Sequence, residues 1–311
     1  FFAQRMLQLE PNSQYADVME RALYNTVLGG MSLDGKSFFY VNPLEVHPQA
    51  CGKNHIYHHV KPVRQRWFGC ACCPPNVARL IASLGQYVYT VRENTVYAQL
   101  YVGGQAELEL NGKRLVLEQE SNYPWSGDIK FTIQTEQETE FSFALRIPDW
   151  CDQAAVSING VKRPLDGLVE HGYAMLNGNW KTGDQIELVL SMPVARMKGH
   201  PLVRQTAGKV ALQRGPLVYC LEEADNGPNL HNLLLPTDAA LEIAEDSSLI
   251  DGMKVITGKA LKQNTENWGE TLYKRNVKEE TEAVTVKFVP YFAWANRGLG
   301  EMRVWVNEKN S

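Results

Sequence analysis

The stretch TEFSFALRIP at 139–148 places Phe141, Phe143 and Leu145 at every second position, has Glu140 and Ser142 on the alternate positions, and stops at Pro148. A period of two marks a strand with one face buried and the other in water. The same texture recurs in TVYAQLYVGG (95–104), AELEL (106–110), KRLVLEQE (113–120), DIKFTIQT (128–135) and DQIELVLSMP (184–193), each bounded by Gly, Asn, Asp or Pro. Short alternating runs with such punctuation predict an antiparallel, jelly-roll-like β-sandwich over 90–193. A second β-sandwich is expected over 194–293, where KVALQRGPLVYCLEE and AVTVKFVPYFAWANRG flank a loop rich in Gly, Pro and Asn. The closing GEMRVWV (300–306) reads as one more strand. Residues 294–311 are expected to return and complete the sheet of the first sandwich.

Upstream of position 90 the period changes. In NSQYADVMERALYNTVLGG (12–30), Asn12 or Ser13 is positioned to cap a helix, Tyr15, Val18, Met19, Ala22 and Leu23 recur at helical spacing, and Gly29-Gly30 ends the run. Gln14, Asp17, Arg21 and Asn25 form the expected solvated stripe. A second helix follows Pro74-Pro75, with Val77, Leu80, Ile81, Leu84 and Val88 as its expected buried face. Residues 1–89 therefore read as part of a helical domain. The first residues, FFAQRMLQLEP, begin without Met or a capping residue and suit the middle of an element, so an upstream portion is expected.

The composition, 44% hydrophobic and 21% charged with a formal net charge of -4, is that of a folded globular protein. It contains no apolar run long enough for a membrane helix and no block of basic residues, which argues against membrane or nucleic-acid partners. The six cysteines crowd three of their number into WFGCACCPPN (67–76), at Cys70, Cys72 and Cys73. That is not how a disulfide framework is distributed, and reduced thiols in a cytoplasmic compartment are expected.

Thiolates are soft ligands that favour Zn²⁺, and spacings of a few residues let one turn offer more than one sulfur to a single ion. A position just ahead of a helix N-terminus also favours the thiolate, which makes such a cysteine a usable nucleophile. The bland reading is that a cysteine is a small buried hydrophobe, and it is the better reading for Cys151 and Cys220. No second CxxC closes a four-ligand site; His47, Cys51, His55, His58 and His59 are the nearby candidates, in what is equally a solvated loop.

WFGCACCPPN followed by VARLIASLGQYVYT, with LRIPDW (145–150), QRGPLVYCLE (213–222) and PYFAWANRG (290–298), resembles glycoside hydrolase family 127, the β-L-arabinofuranosidases, from Phe1 to near the C-terminus. The resemblance implies the terminal part of an (α/α)6 helical barrel followed by two β-sandwich domains. It also implies a retaining glycosidase acting on an L-arabinofuranoside-type sugar, with a zinc-bound cysteine as nucleophile. Cys72 matches the nucleophile and a metal ligand, Cys73 matches a second ligand, and Cys70 sits beside them as an accessory thiol with no assigned role. The family's remaining zinc ligands, in a Glu-x-Cys motif, and its acid/base Glu lie upstream of the residue matching Phe1. The chain by itself is therefore expected to be inactive.

Glu20 and Tyr40 resemble substrate-binding residues of the family. Glu20 has Leu23, Tyr24 and Val27 as its helical neighbours, so its carboxylate is expected either in a sugar pocket or exposed at the edge of the polar face. Tyr40, in SFFYVNPLE, is expected either at the sugar or buried in a strand. Trp67 and Tyr57 are placed to stack on a furanose, although aromatic residues beside a core element are usually core. Trp125, Trp150 and Trp294 are expected in structural packing. Two other classes of function stay open: a non-catalytic carbohydrate-binding or structural β-sandwich protein, and a thiol-based redox or metal carrier. An incomplete barrel is expected to expose apolar helix faces and to self-associate through them.

Overall fold

The computed structural model describes residues 1–278 and 280–310. It divides into two compact units, the first comprising Phe1–Tyr24 and Cys72–Pro193, the second Asn25–Ala71 and Val194–Ser311. The expected single helical body over 1–89 is thus shared between the two, because residues 25–71 pack with the C-terminal strands.

The first unit is a two-sheet sandwich with helices attached. The strands Val169–Glu170, Tyr173–Trp180, Thr139–Arg146, Thr95–Ala98 and Tyr89–Arg92 lie in that order in one sheet; Gly104–Leu110, Lys113–Ser121, Asp128–Thr135, Gln185–Leu190, Ala154–Ile158 and Val161–Arg163 form the other. One pairing departs from the antiparallel expectation, since Thr95–Ala98 runs parallel to Thr139–Arg146. The alternation read in 139–148 is realised: Phe141, Phe143 and Leu145 are buried with Ile129, Phe131, Ile133 and Ile186 in one core shared by both sheets. Burying each such side chain stabilises by about 1.5–3 kcal/mol.

Three α-helices belong to this unit among the described residues: Phe2–Leu9, Ser13–Arg21 and Cys73–Ala82. Asn12 caps the second, its side chain accepting from the Gln14 N–H at 3.1 Å. The helix continues as a π-helical segment, Ala22–Val27, which carries the chain from the first unit into the second. The expected solvated stripe is only half right. Gln14 and Arg21 are exposed, whereas Asp17 and Asn25 are buried because each finds a polar partner far along the chain. The expected buried face of Cys73–Ala82 is not formed, for no residue of this helix is buried and Ile81 is 47% exposed.

The second unit is a continuous ten-stranded sheet. Lys209–Arg214 pairs with both Leu217–Glu222 and Val306–Lys309, so the pairings close on themselves, where two separate facing sheets were expected. The closing residues are also corrected. Met302–Arg303 pairs with Leu217–Glu222, and Val306–Lys309 pairs with Lys209–Arg214 and Leu233–Pro236, so 294–311 completes this sheet and not that of 90–193. Met302, Val304 and Val306 are each at most 2% exposed. Their alternation fixes a buried face and says nothing of which sheet receives it.

Within this unit Arg64 holds a loop to the sheet. Its guanidinium donates to the carbonyls of Gly29 (2.8 Å), Trp294 (2.6 Å) and Phe292 (3.3 Å), and it lies 4.7 Å from the ring centre of Phe39. Phe39 in turn stacks on Trp294 at 4.7 Å. Burial pushes the Arg64 guanidinium down to about 10.

Candidate active site

The cysteine motif is divided by the boundary between the units: Cys70 belongs to the second, Cys72 and Cys73 to the first. Cys73 is the first residue of helix Cys73–Ala82 and Cys72 is its N-cap. The two sulfurs are 3.9 Å apart, with Cys72 exposed and Cys73 half-buried. Pro74 and Pro75 pre-set the first turn but carry no N–H, so fewer donors are available to an anion here than at an ordinary helix start. The Asn76 side-chain amide donates to the Cys72 carbonyl at 2.8 Å and steadies the cap.

Two sulfurs bound tetrahedrally to one Zn²⁺ at about 2.3 Å stand about 3.8 Å apart, so the Cys72–Cys73 pair fits half of a zinc donor set. No group of three or more His, Cys, Asp or Glu side chains disposed to hold a metal ion occurs among the described residues. His58 and His59 pack ring against ring, and His47 lies 3.9 Å from Glu301.

Glu20 corrects the expectation of an exposed residue at the edge of the polar face. It is 1% exposed and so does not lie at a solvent edge. Its carboxylate accepts from both terminal nitrogens of Arg146, from the Tyr123 hydroxyl at 2.6 Å and from the Trp150 indole N–H at 3.1 Å. Asp17, one helical turn earlier, accepts from the same guanidinium at 2.7 Å. Burial pushes Asp17 up to about 6, with Arg146 opposing that shift. A carboxylate with this many donors is an anchor for the helix on the sandwich. Local periodicity could not reveal it, because Arg146 lies 126 residues away in the strand that decided the fold.

Tyr40 belongs to the second unit and is 46% exposed, with its ring 5.7 Å from that of Phe68. The alternative of a buried strand residue is excluded. Trp67 is 69% exposed, while Tyr57 is half-buried in a polar cleft. Trp150 and Trp294 are in packing roles, as expected.

Three family profiles divide the chain between them: the β-L-arabinofuranosidase GH127 catalytic domain over residues 1–86, the GH127 middle domain over 95–192 and the glycoside hydrolase family 127 C-terminal domain over 194–307. A non-reducing end β-L-arabinofuranosidase of Bifidobacterium longum subsp. longum is 40% identical over 314 residues, spanning 98% of this chain and 47% of that protein. The crystal structure of a GH127 β-L-arabinofuranosidase from Geobacillus stearothermophilus T6 superposes with a TM-score of 0.96 at 53% identity, over 99% of this chain and 48% of that one. A second solved GH127 β-arabinofuranosidase gives a TM-score of 0.86 at 38% identity, again over 99% and 48%. The chain thus spans about half the length of these relatives. With profiles of one family matched in succession along its length, the chain belongs to glycoside hydrolase family 127, the β-L-arabinofuranosidase family.

Proposed function

We propose that this chain is a portion of a retaining glycosidase that cleaves β-L-arabinofuranosides with Cys72 as its nucleophile. The observation that carries the proposal is the Cys72–Cys73 sulfur pair, with Cys72 exposed, at the start of helix Cys73–Ala82, in a segment matched by the GH127 catalytic-domain profile. Residues 1–89 would form the terminal part of an (α/α)6 barrel. Cys72 and Cys73 would hold Zn²⁺, which would supply Lewis acidity that keeps a thiol deprotonated at neutral pH.

The Cys72 thiolate attacks the anomeric carbon, and a C–S bond forms as the glycosidic C–O bond breaks. An acid must protonate the departing oxygen, and water then displaces the thiolate to return the original configuration. Tyr40, with its half-exposed ring, is the residue of the second unit proposed to contact the sugar. Cys72 and Cys73 supply two zinc donors. The remaining donors and the acid are proposed to come from the upstream helical segment that the resemblance assigns to the family, and loss of an acid/base residue alone costs about 10² to 10⁴ in rate.

The test is hydrolysis of a chromogenic β-L-arabinofuranoside together with zinc content, on the chain and its Cys72→Ala variant, with and without the upstream helical segment of a full-length relative. Zinc uptake and turnover that need both Cys72 and the added segment support the proposal. Cys72-independent turnover sinks the nucleophile assignment, and no zinc or turnover in any combination favours the non-catalytic carbohydrate-binding reading.

A further inference from the structure

The second unit carries a polar cleft of about 160 Å³. Its walls are Glu45, His47, Tyr57, His231, Glu301 and Arg303. Val46, Leu230 and Met302 also line it, each at most 2% exposed. The cleft exists because Glu45–Val46 pairs with Met302–Arg303 and the Val304 N–H donates to the Leu44 carbonyl at 2.9 Å, which ties the 45–57 loop to the sheet.

The polar groups are held in place. Glu301 accepts the backbone N–H groups of Asn229 at 3.2 Å and Leu230 at 2.8 Å, one on each carboxylate oxygen, and each oxygen keeps a second lone pair. Arg303 is fixed by donation to the Trp305 carbonyl at 2.7 Å and by Glu45 at 3.2 Å. His47 stands 3.9 Å from Glu301, across a gap too wide for a direct hydrogen bond. Tyr57 is pushed up by burial and then by the charge of Glu45, so its hydroxyl stays protonated as a donor.

Two carboxylates beside one guanidinium disfavour an anion, and no metal-holding group of three ligands occurs among the described residues. What matches fixed acceptors and donors in a cleft of this kind is a neutral polyhydroxyl ring, whose hydroxyls reach those groups. The volume holds about five waters, the bulk of one monosaccharide. We propose that this cleft is a non-catalytic binding site for a single neutral sugar unit.

The test is titration of the 311-residue chain with L-arabinose, followed by protein-observed NMR shifts, with inorganic phosphate as a second probe. Saturable sugar binding in the millimolar range is expected, as befits so small a ligand. His47→Ala and Glu45→Gln, whose side chains are 47% and 43% exposed and so tolerate exchange, should each raise Kd about tenfold. Cys72→Ala should leave Kd unchanged, which separates this site from the proposed active site. Sugar binding that is absent, insensitive to both cleft variants, abolished by Cys72→Ala, or weaker than phosphate binding overturns the proposal.

Discussion

Arg146, at the end of strand Thr139–Arg146, is fully buried and ion-paired to Glu20, at 1% exposure on helix Ser13–Arg21. Two elements separated by 126 residues are thereby fastened at one point. The guanidinium also donates through Nε to the Gln99 carbonyl at 2.7 Å, and its backbone carbonyl accepts from the Tyr101 hydroxyl. Every polar atom of the pair is spoken for, which is the condition under which a buried ion pair is tolerated.

Removing one partner leaves the others charged and dry. Arg146→Leu strands both Glu20 and Asp17 and is expected to destabilise the first unit by about 3–5 kcal/mol. Glu20→Gln, which leaves Arg146 paired with Asp17, should cost clearly less. Urea denaturation of the two variants checks the order, and equal losses would show that Asp17 gains nothing from Arg146.

Asp17 makes stability depend on pH. Its folded value of about 6 lies above the ordinary 3.8, so the folded state holds its proton more tightly than the unfolded chain. The resulting stabilisation is fully present below about pH 4 and is lost as pH rises through 6, on the order of 2–3 kcal/mol in all. Asp17→Asn should flatten this fall. Melting curves between pH 4 and 7 decide it, and an unchanged slope in the variant would assign the pH dependence elsewhere.

Arg64 binds three backbone carbonyls with a planar fork, a geometry that a lysine ammonium cannot reproduce. Arg64→Lys is expected to destabilise the second unit by about 2–3 kcal/mol, because buried carbonyls lose their donors. The loop bearing Phe39 and Tyr40 should loosen first. Hydrogen exchange at the Phe39 N–H, which donates to the Gly30 carbonyl at 2.7 Å, reports this directly. Protection equal to that of the unmodified chain would remove Arg64 from that role.

Phe2, Leu9 and Val18 are 78%, 71% and 60% exposed on the helices of the first unit, and Ile81 is half-exposed on Cys73–Ala82. Apolar helix faces left in water favour association. Light scattering of the isolated chain should show concentration-dependent oligomers that diminish in a Phe2→Ser, Leu9→Ser double variant. A monomer at all concentrations would contradict this.

Sequence alone determined the β texture of the chain, a helix cap at Asn12 or Ser13 and the family motif around Cys72, because period, capping and motif spacing are properties of neighbouring residues. It also placed Trp150 and Trp294 in packing, since large aromatics amid strands are rarely left exposed. Only the tertiary structure decided what the polar residues of helix Ser13–Arg21 are for. Asp17 read as solvated and Glu20 as sugar-facing or exposed, yet both are buried because a guanidinium distant in the chain meets them. The destination of GEMRVWV was equally hidden. A strand's alternation says which side chains must leave water, while the sheet that accepts them depends on which edge the folded chain leaves free.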